Sequence, residues 1–186
     1  MRLLLHVCCG PCLIYPYEVL SKNGYDVEGL FYNPNIHPLG EYKNRKKAIE
    51  DFSGASSIKV NFEEGYKPEE FFQAVAGNEK SPNRCQLCWK LRLEKTARFA
   101  KDKGFDCFST TLLVSPYQDI DKIKKIGEDI AKEAGVKFIF EDFRSGFRQA
   151  HNKAKELGLY CQKYCGCIFS NEATTYGTKC PPSSNT

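Results

Sequence analysis

No apolar run in this chain of 186 residues approaches the roughly 18 residues that a membrane-spanning helix needs. The opening segment, Met1-Arg-Leu-Leu-Leu-His-Val-Cys8, holds one positive charge and too few apolar residues for an export signal, and no small-residue cleavage site follows. The expectation is a cytoplasmic protein with no membrane partner. A G-x-x-x-x-G-K-[ST] phosphate loop and a G-x-G-x-x-G fingerprint are both missing, which removes the two commonest nucleotide cradles. Internal repeats are absent, and no Asn-Gly turn joins two strands, so neither a solenoid nor a hairpin-built sheet is expected.

What is present fits one domain around a single core. A hydrophobic fraction of 41% and an aromatic content of 13% argue against disorder over most of the chain. The net charge of +4, from 27 basic and 23 acidic residues, permits contact with nucleic acid without demonstrating it. Basic residues do cluster: Lys43, Arg45, Lys46 and Lys47; Arg84, Lys90, Arg92 and Lys95; Lys122, Lys124 and Lys125. Taken singly, each run reads as a solvated helix face.

Apolar patterning and punctuation predict strands near residues 2–8, 27–32, 57–62, 106–110 and 136–140. Helices are expected up to Lys22, over 41–52, from Pro68, over 85–103, from Ser115-Pro116 to Ala134, and over 147–157. Strands alternate with helices almost throughout. The expected fold is therefore α/β, a mostly parallel, Rossmann-like sheet flanked by helices in a single domain over 1–177. Residues 178–186, Thr-Lys-Cys-Pro-Pro-Ser-Ser-Asn-Thr, have the composition of a flexible tail.

Ten cysteines are the unusual feature. With no export signal, and with several of them too close in sequence to pair easily, metal ligation in a reducing compartment is the better reading. Three groups stand out. Cys8-Cys9-Gly10-Pro11-Cys12 follows the first strand directly, where open parallel sheets bind their ligands. Cys85-Gln-Leu-Cys88 opens a helix; its i, i+3 spacing puts both sulfurs on one face, and the positive helix end favours thiolates. Cys165-Gly-Cys167 can ligate a metal or close as a strained, reducible disulfide. Cys9-x-x-Cys12 with Cys85-x-x-Cys88 would also satisfy a structural zinc site, but the surplus thiols point to chemistry. Cys107 reads as a small buried hydrophobe, Cys180 as incidental, His6 as a core residue, and Trp89 and Phe99 as helix packing. The first strand lacks the Ser-Gly-Gly-x-Asp-Ser loop of ATP-pyrophosphatases, although the alternating architecture suits that superfamily; by analogy, a cluster takes the place where such proteins hold phosphates.

The motifs His6-Val-Cys8-Cys9-Gly-Pro-Cys12, Phe31-Tyr-Asn-Pro-Asn-Ile-His-Pro38, Arg84-Cys85-x-x-Cys88, Phe108-Ser-Thr-Thr-Leu112 with Ser115-Pro-Tyr-Gln118, and Tyr164-Cys165-Gly-Cys167 together resemble the epoxyqueuosine reductase QueH family over about residues 1–172. The resemblance implies an iron–sulfur enzyme for the last step of queuosine biosynthesis. Such an enzyme removes the epoxide oxygen of epoxyqueuosine at the wobble position of tRNA, without cobalamin. It carries over Cys8, Cys9, Cys12, Cys85, Cys88, Cys165 and Cys167. The family pattern usually has arginine where this chain has Cys161, so no ligand role passes to that residue.

A [4Fe–4S] cluster takes about four thiolates. Cys8, Cys9, Cys85 and Cys88 are the preferred set, with Cys9 and Cys12 beside the second pair as the alternative. Cys165 and Cys167, with Cys12, could hold an additional iron ion as a Lewis acid; alternatively the C-x-C pair could cycle between dithiol and disulfide. Asp119 is a candidate oxygen ligand or proton source, though a first-turn helix acid is the plainer reading. An external electron donor is required. Tyr32, Asn33, Asn35, Tyr42, Tyr117 and Arg148 are candidates to hold the modified base. Two rivals stand beside this reading: a cluster-containing tRNA thiolase, which the missing phosphate loop disfavours, and a zinc-stabilised nucleic-acid-binding module without catalysis.

Overall fold

The computed structural model describes residues 1–170. The expected tail at 178–186, with Cys180, and the last residues of the expected domain lie outside the described residues. Leu3, Leu4 and Leu5 are fully buried in β1 (Arg2–His6), as an unbroken apolar run must be when helices cover both faces of a strand. β1 pairs in parallel with β2 (Asp26–Phe31) on one side and β4 (Cys107–Thr110) on the other. β3 (Lys59–Phe62) extends the first side and β5 (Lys137–Phe138) the second, giving a five-stranded sheet of order β3-β2-β1-β4-β5, parallel at every pairing. The expected sheet is therefore present, and wholly parallel among the described residues. β5 is shorter than the periodicity implied.

The helices are α1 (Gly10–Lys22), α2 (Leu39–Ala55), α3 (Pro68–Val75), α4 (Asn83–Asp102), α5 (Ile120–Ala134) and α6 (Phe147–Glu156). α5 starts later than Ser115-Pro116 suggested. Thr111–Val114 instead forms a short 3-10 turn, and Asp119 caps α5 by accepting the Lys122 N–H at 3.1 Å. The chain winds outward from β1 to β2 and β3, then crosses to β4. The carboxyl ends of β1 and β4 thus flank the point where strand order reverses, the place where a sheet of this kind opens a crevice.

Gly10 shows why the first turn of α1 has its sequence. A Cβ there would lie 3.0 Å from the Ala48 carbonyl oxygen and 3.1 Å from the Ala48 Cβ, so only glycine lets α1 begin hard against α2. Pro11 suits the first helical turn, where an N–H would have no intrahelical partner. Pro16, inside α1, has no N–H to give the carbonyl four residues earlier, that of Cys12.

Candidate metal and redox site

The β1–α1 junction brings three thiols together. The Sγ atoms of Cys8, Cys9 and Cys12 all lie within 4.8 Å of one another, and those of Cys8 and Cys9 are 3.7 Å apart. Cys9 is the extended residue preceding α1, and Cys12 sits in its first turn, so both sulfurs lie at the positive end of the helix. Across the crevice, the Thr111 hydroxyl donates to Cys8 Sγ at 3.3 Å and accepts the Cys8 N–H at 3.1 Å. Hydrogen bonds from Cys12 and Cys9, then from Thr111, hold the Cys8 thiol well below its ordinary pKa against the cost of burial. Burial pushes Cys9 up. Cys12 is pushed up first by its hydrogen bonds with Cys8 and Cys9.

His6, at the end of β1, is fully buried. Its Nδ1 lies 2.9 Å from Thr110 Oγ1 and its Nε2 3.3 Å from the Tyr32 carbonyl. Burial and the Arg92 charge lower its pKa to about 4, so it is the neutral core residue expected.

A second group of thiols gathers around the start of α4. Cys88 and Cys167 pack with Phe71 and Val75, flanked by Leu87, Leu91 and Phe169, in an apolar cluster separate from the main core. Burial raises the Cys88 pKa to about 12, and the nearby charges of Cys165, Cys167 and Cys85 add to the rise against Arg92. Burial also raises Cys167. Cys165 is exposed, with its Sγ 3.2 Å from Ser170 Oγ. Cys85 is half-buried and reaches Ser81 Oγ at 3.7 Å. Cys107 is buried in β4 as expected, and Cys161 packs against the main core with its Sγ 3.6 Å from the Leu159 carbonyl.

Sequence reasoning missed the arginines. Arg45, Arg84 and Arg92 belong to the runs read above as solvated, yet they are only 2%, 7% and 5% exposed. Each stands by a thiol: Arg45 near Cys9, Arg84 near Cys167, and Arg92 near Cys88, whose carbonyl it binds through Nε at 3.1 Å. Arg45 pairs with Glu41 at 2.7 Å, whereas among the described residues Arg84 and Arg92 form no ion pair with a carboxylate. An unpaired buried cation costs several kcal/mol, so anionic sulfur is the natural counter-charge. The signal was the position of Arg84 and Arg92 within one turn of Cys85 and Cys88. By contrast, Lys46, Lys47, Lys90, Lys122 and Lys124 do lie on the surface, in pairs with acids three or four residues away.

The candidate base contacts fare unevenly. Tyr32 and Tyr42 are buried, bonded through their hydroxyls to Glu70 and to the Gly65 carbonyl. Asn33 and Asn35 are buried, Tyr117 is exposed, and Arg148 lines an open cleft of about 560 Å³ between α1 and α6. Asp119 is occupied as the cap of α5 and in an ion pair with Lys122 Nζ at 2.9 Å. Slight burial would raise its pKa, but the hydrogen bonds and charge of Lys122 prevail and hold it low.

The donor set fits a metal. Sulfurs about a single tetrahedral ion with bonds near 2.3 Å lie about 3.8 Å apart, the scale of the Cys8–Cys9 separation. A [4Fe–4S] cluster needs about four thiolates, one more than the triad offers, and cationic arginines stand ready to offset its charge.

Comparison with known proteins agrees with this reading of the residues. The family model described as "Epoxyqueuosine reductase QueH" matches residues 3–173. A protein of that name from Dehalococcoides mccartyi is 36% identical over 91% of this chain and 92% of its own length. One from Thermotoga maritima is 40% identical over 90% of this chain and 88% of its own. Among solved structures, a predicted subunit of tRNA methyltransferase from Methanocaldococcus jannaschii superposes with a TM-score of 0.56 at 12% identity, covering 97% of this chain and 90% of that one. At that identity the likeness speaks for the fold alone. The cysteine motifs, their arrangement at the switch point and the extent of the match lead to one conclusion: the chain belongs to the epoxyqueuosine reductase QueH family.

Proposed function

We propose that this chain reduces epoxyqueuosine to queuosine in tRNA, removing the epoxide oxygen with two electrons at a cysteine-held metal site. The observation that carries the reading is the thiol triad at the switch point, with buried arginines beside both groups of thiols. When bound, a [4Fe–4S] cluster held at the triad Cys8, Cys9 and Cys12 and completed from Cys85 and Cys88 would supply single electrons, and an additional iron at Cys165 and Cys167 would supply a Lewis acid for the departing oxygen.

The protein's own contribution is electrostatic. Cys8 is the thiol of the triad whose deprotonation, which metal binding needs, is eased by its surroundings, because the neighbouring thiols and Thr111 stabilise its charge. Arg45 and Arg92 lower the cost of negative charge at Cys9 and Cys88. The Cys165–Cys167 pair offers a second route for the electrons. Oxidation of two thiols to a disulfide releases two electrons and two protons, which convert an epoxide to an alkene and water. The external donor then restores the dithiol. The exposure of Cys165 lets such a donor reach it.

The test is anaerobic reconstitution, followed by iron and acid-labile sulfide analysis and by mass spectrometry of epoxyqueuosine-containing tRNA treated with a chemical reductant. Loss of one oxygen mass from the nucleoside, dependent on bound iron, is expected. The short Cys8–Cys9 separation also suits a single zinc ion, and zinc at about one per chain with unchanged tRNA would reject the enzyme reading.

A further inference from the structure

Among the described residues, five buried side-chain nitrogen or oxygen atoms have no hydrogen-bond partner: Asn33 Oδ1, Asn35 Oδ1, both ring nitrogens of His37, and Gln162 Oε1. Each such group costs about 1–3 kcal/mol when left unpaired, and folded proteins leave few of them. Four of the five belong to one loop. Asn33, Asn35 and His37 lie in the loop that leaves the carboxyl end of β2, beside the crevice. Gln162 reaches the triad directly, its Nε2 lying 3.6 Å from Cys12 Sγ.

The same loop is tied to the C-x-C pair. The His37 N–H donates to the Gly166 carbonyl at 2.8 Å, and the Tyr164 hydroxyl donates to the His37 carbonyl. Gly166 has a φ of +100°, and a Cβ there would meet Ile36 Cγ1 at 2.9 Å, so the two segments are closely docked. The loop carrying Asn35 and His37 is therefore docked on the segment of the C-x-C pair, and Gln162 on the triad.

Neighbouring polar groups are satisfied, which makes the omission selective. Asn33 Nδ2 donates to the Val7 carbonyl at 2.8 Å, and the Asn33 side chain favours the charged form of His6. Asn35, His37 and Gln162 are the residues left short of partners. Asn35 and His37 are 2% and 5% exposed. Burial lowers the His37 pKa and a marginal hydrogen bond to the Asn35 carbonyl opposes it, so one ring nitrogen has a weak partner and the other has none. The three amide oxygens only accept. The vacant positions call for a ligand richer in donors than in acceptors. A phosphate or carboxylate, which only accepts, would meet oxygen against oxygen. Hydroxyl and amine groups fit.

We infer that Asn35, His37 and Gln162 form the subsite for the hydroxyl- and amine-bearing ring of the modified nucleoside, holding it between Cys12 and the Cys165–Cys167 pair. This rests on the proposed function, since epoxyqueuosine carries its epoxide on a hydroxylated ring joined to the base through an amine. Phe72 stacks on the His37 ring with centroids 4.9 Å apart and is 41% exposed, while Phe71 and Tyr66 pack against the same ring at 5.4 and 6.4 Å.

The experiment compares the affinity of the reconstituted protein for two anticodon stem-loops of identical sequence, one with epoxyqueuosine and one with guanine at the wobble position. Turnover of the modified tRNA by the unaltered protein is measured alongside. Asn35→Leu removes the acceptor at similar volume and should lower the preference for the modified stem-loop about tenfold, the scale of one hydrogen bond of about 1.4 kcal/mol. Affinity for the guanine stem-loop and iron content should be unchanged. Asn35→Asp keeps acceptor oxygens and should retain the preference. An unchanged preference in Asn35→Leu, or equal weakening toward both stem-loops, would overturn the subsite. Absence of turnover by the unaltered protein would instead overturn the proposed function.

Discussion

The two groups of thiols are built differently. Cys8, Cys9 and Cys12 come from one short stretch, placed by the central strand and the first turn of α1, and they join the main core. Cys88 and Cys167 come from segments far apart in sequence and meet in a satellite cluster, with the exposed Cys165 close enough for its charge to act on Cys88. The first group is preformed by local geometry. The second depends on docking of the C-terminal segment, which Arg45 secures by donating to the Tyr164 and Cys165 carbonyls at 2.8 and 3.2 Å while paired with Glu41. A site of this kind can keep its metal-holding part rigid while the exposed part exchanges electrons with a partner.

The sharpest way to break this comparison is to delete one thiol from each part of the second group. Cys88→Ala or Cys85→Ala should abolish both the brown chromophore and activity. Cys165→Ala should abolish activity and keep the chromophore, because Cys165 is exposed and has the local partner Ser170. Visible absorption, iron content and turnover measured on the same preparation decide it. Full iron and full turnover in Cys85→Ala would reject the assignment.

The next effect isolates the docking. Arg45→Met leaves the Glu41 carboxylate buried without its cation, and should cost about 3–5 kcal/mol in denaturant unfolding. The altered segment lies at the Cys165 loop, so proteolysis or hydrogen exchange should show the loss of protection near Tyr164 first. Uniform loss across β1 and α1 would show that the two groups do not fold as separable parts.

A backbone change probes the first group in the same terms. Gly10→Ala should destabilise the protein by about 1–3 kcal/mol, because its Cβ would press on Ala48. Gly40→Ala, where a Cβ meets nothing within 4 Å, should be neutral or stabilising by up to about 1 kcal/mol through helix propensity. Thermal unfolding of the two variants, prepared alike, checks the difference.

The same contrast explains what could be read from sequence. The triad was legible because its residues are adjacent and its strand is an unbroken apolar run, so periodicity and position sufficed. The alternation of elements gave the parallel sheet for the same local reason. Arg45, Arg84 and Arg92 were not legible as buried, because a basic residue on a helix reads as solvated until the segment covering it is known. For Arg45 and Arg84 that cover comes from residues near 164–170, far along the chain. His37 and Gln162 were missed because an unpaired polar atom has no sequence signature at all. The start of α5 was misplaced because Ser115-Pro116 resembles a helix entry while Asp119 provides the actual cap.

The smallest expected effect concerns protons on the triad. In metal-free protein Cys8 is held well below the ordinary thiol pKa, whereas Cys9 and Cys12 are raised. Alkylation by iodoacetamide at neutral pH should therefore modify Cys8 first, and its rate should stay high until the pH falls well below the usual thiol range. A lowered folded pKa contributes stability that is fully present above the unfolded value, near pH 8.5, and is lost as pH falls through the folded value. Thr111→Val removes one donor to the Cys8 sulfur. It should move the alkylation profile upward by at most about one to two pH units, since a hydrogen bond to a charged group is worth about 1.5–3 kcal/mol and the neighbouring thiols compensate in part. Mapping the alkylated cysteine by peptide fragmentation at each pH makes the comparison direct. Faster reaction at Cys9 or Cys12 than at Cys8 would place the anion on the wrong sulfur, and the triad would then need a different proton distribution before it could take up metal.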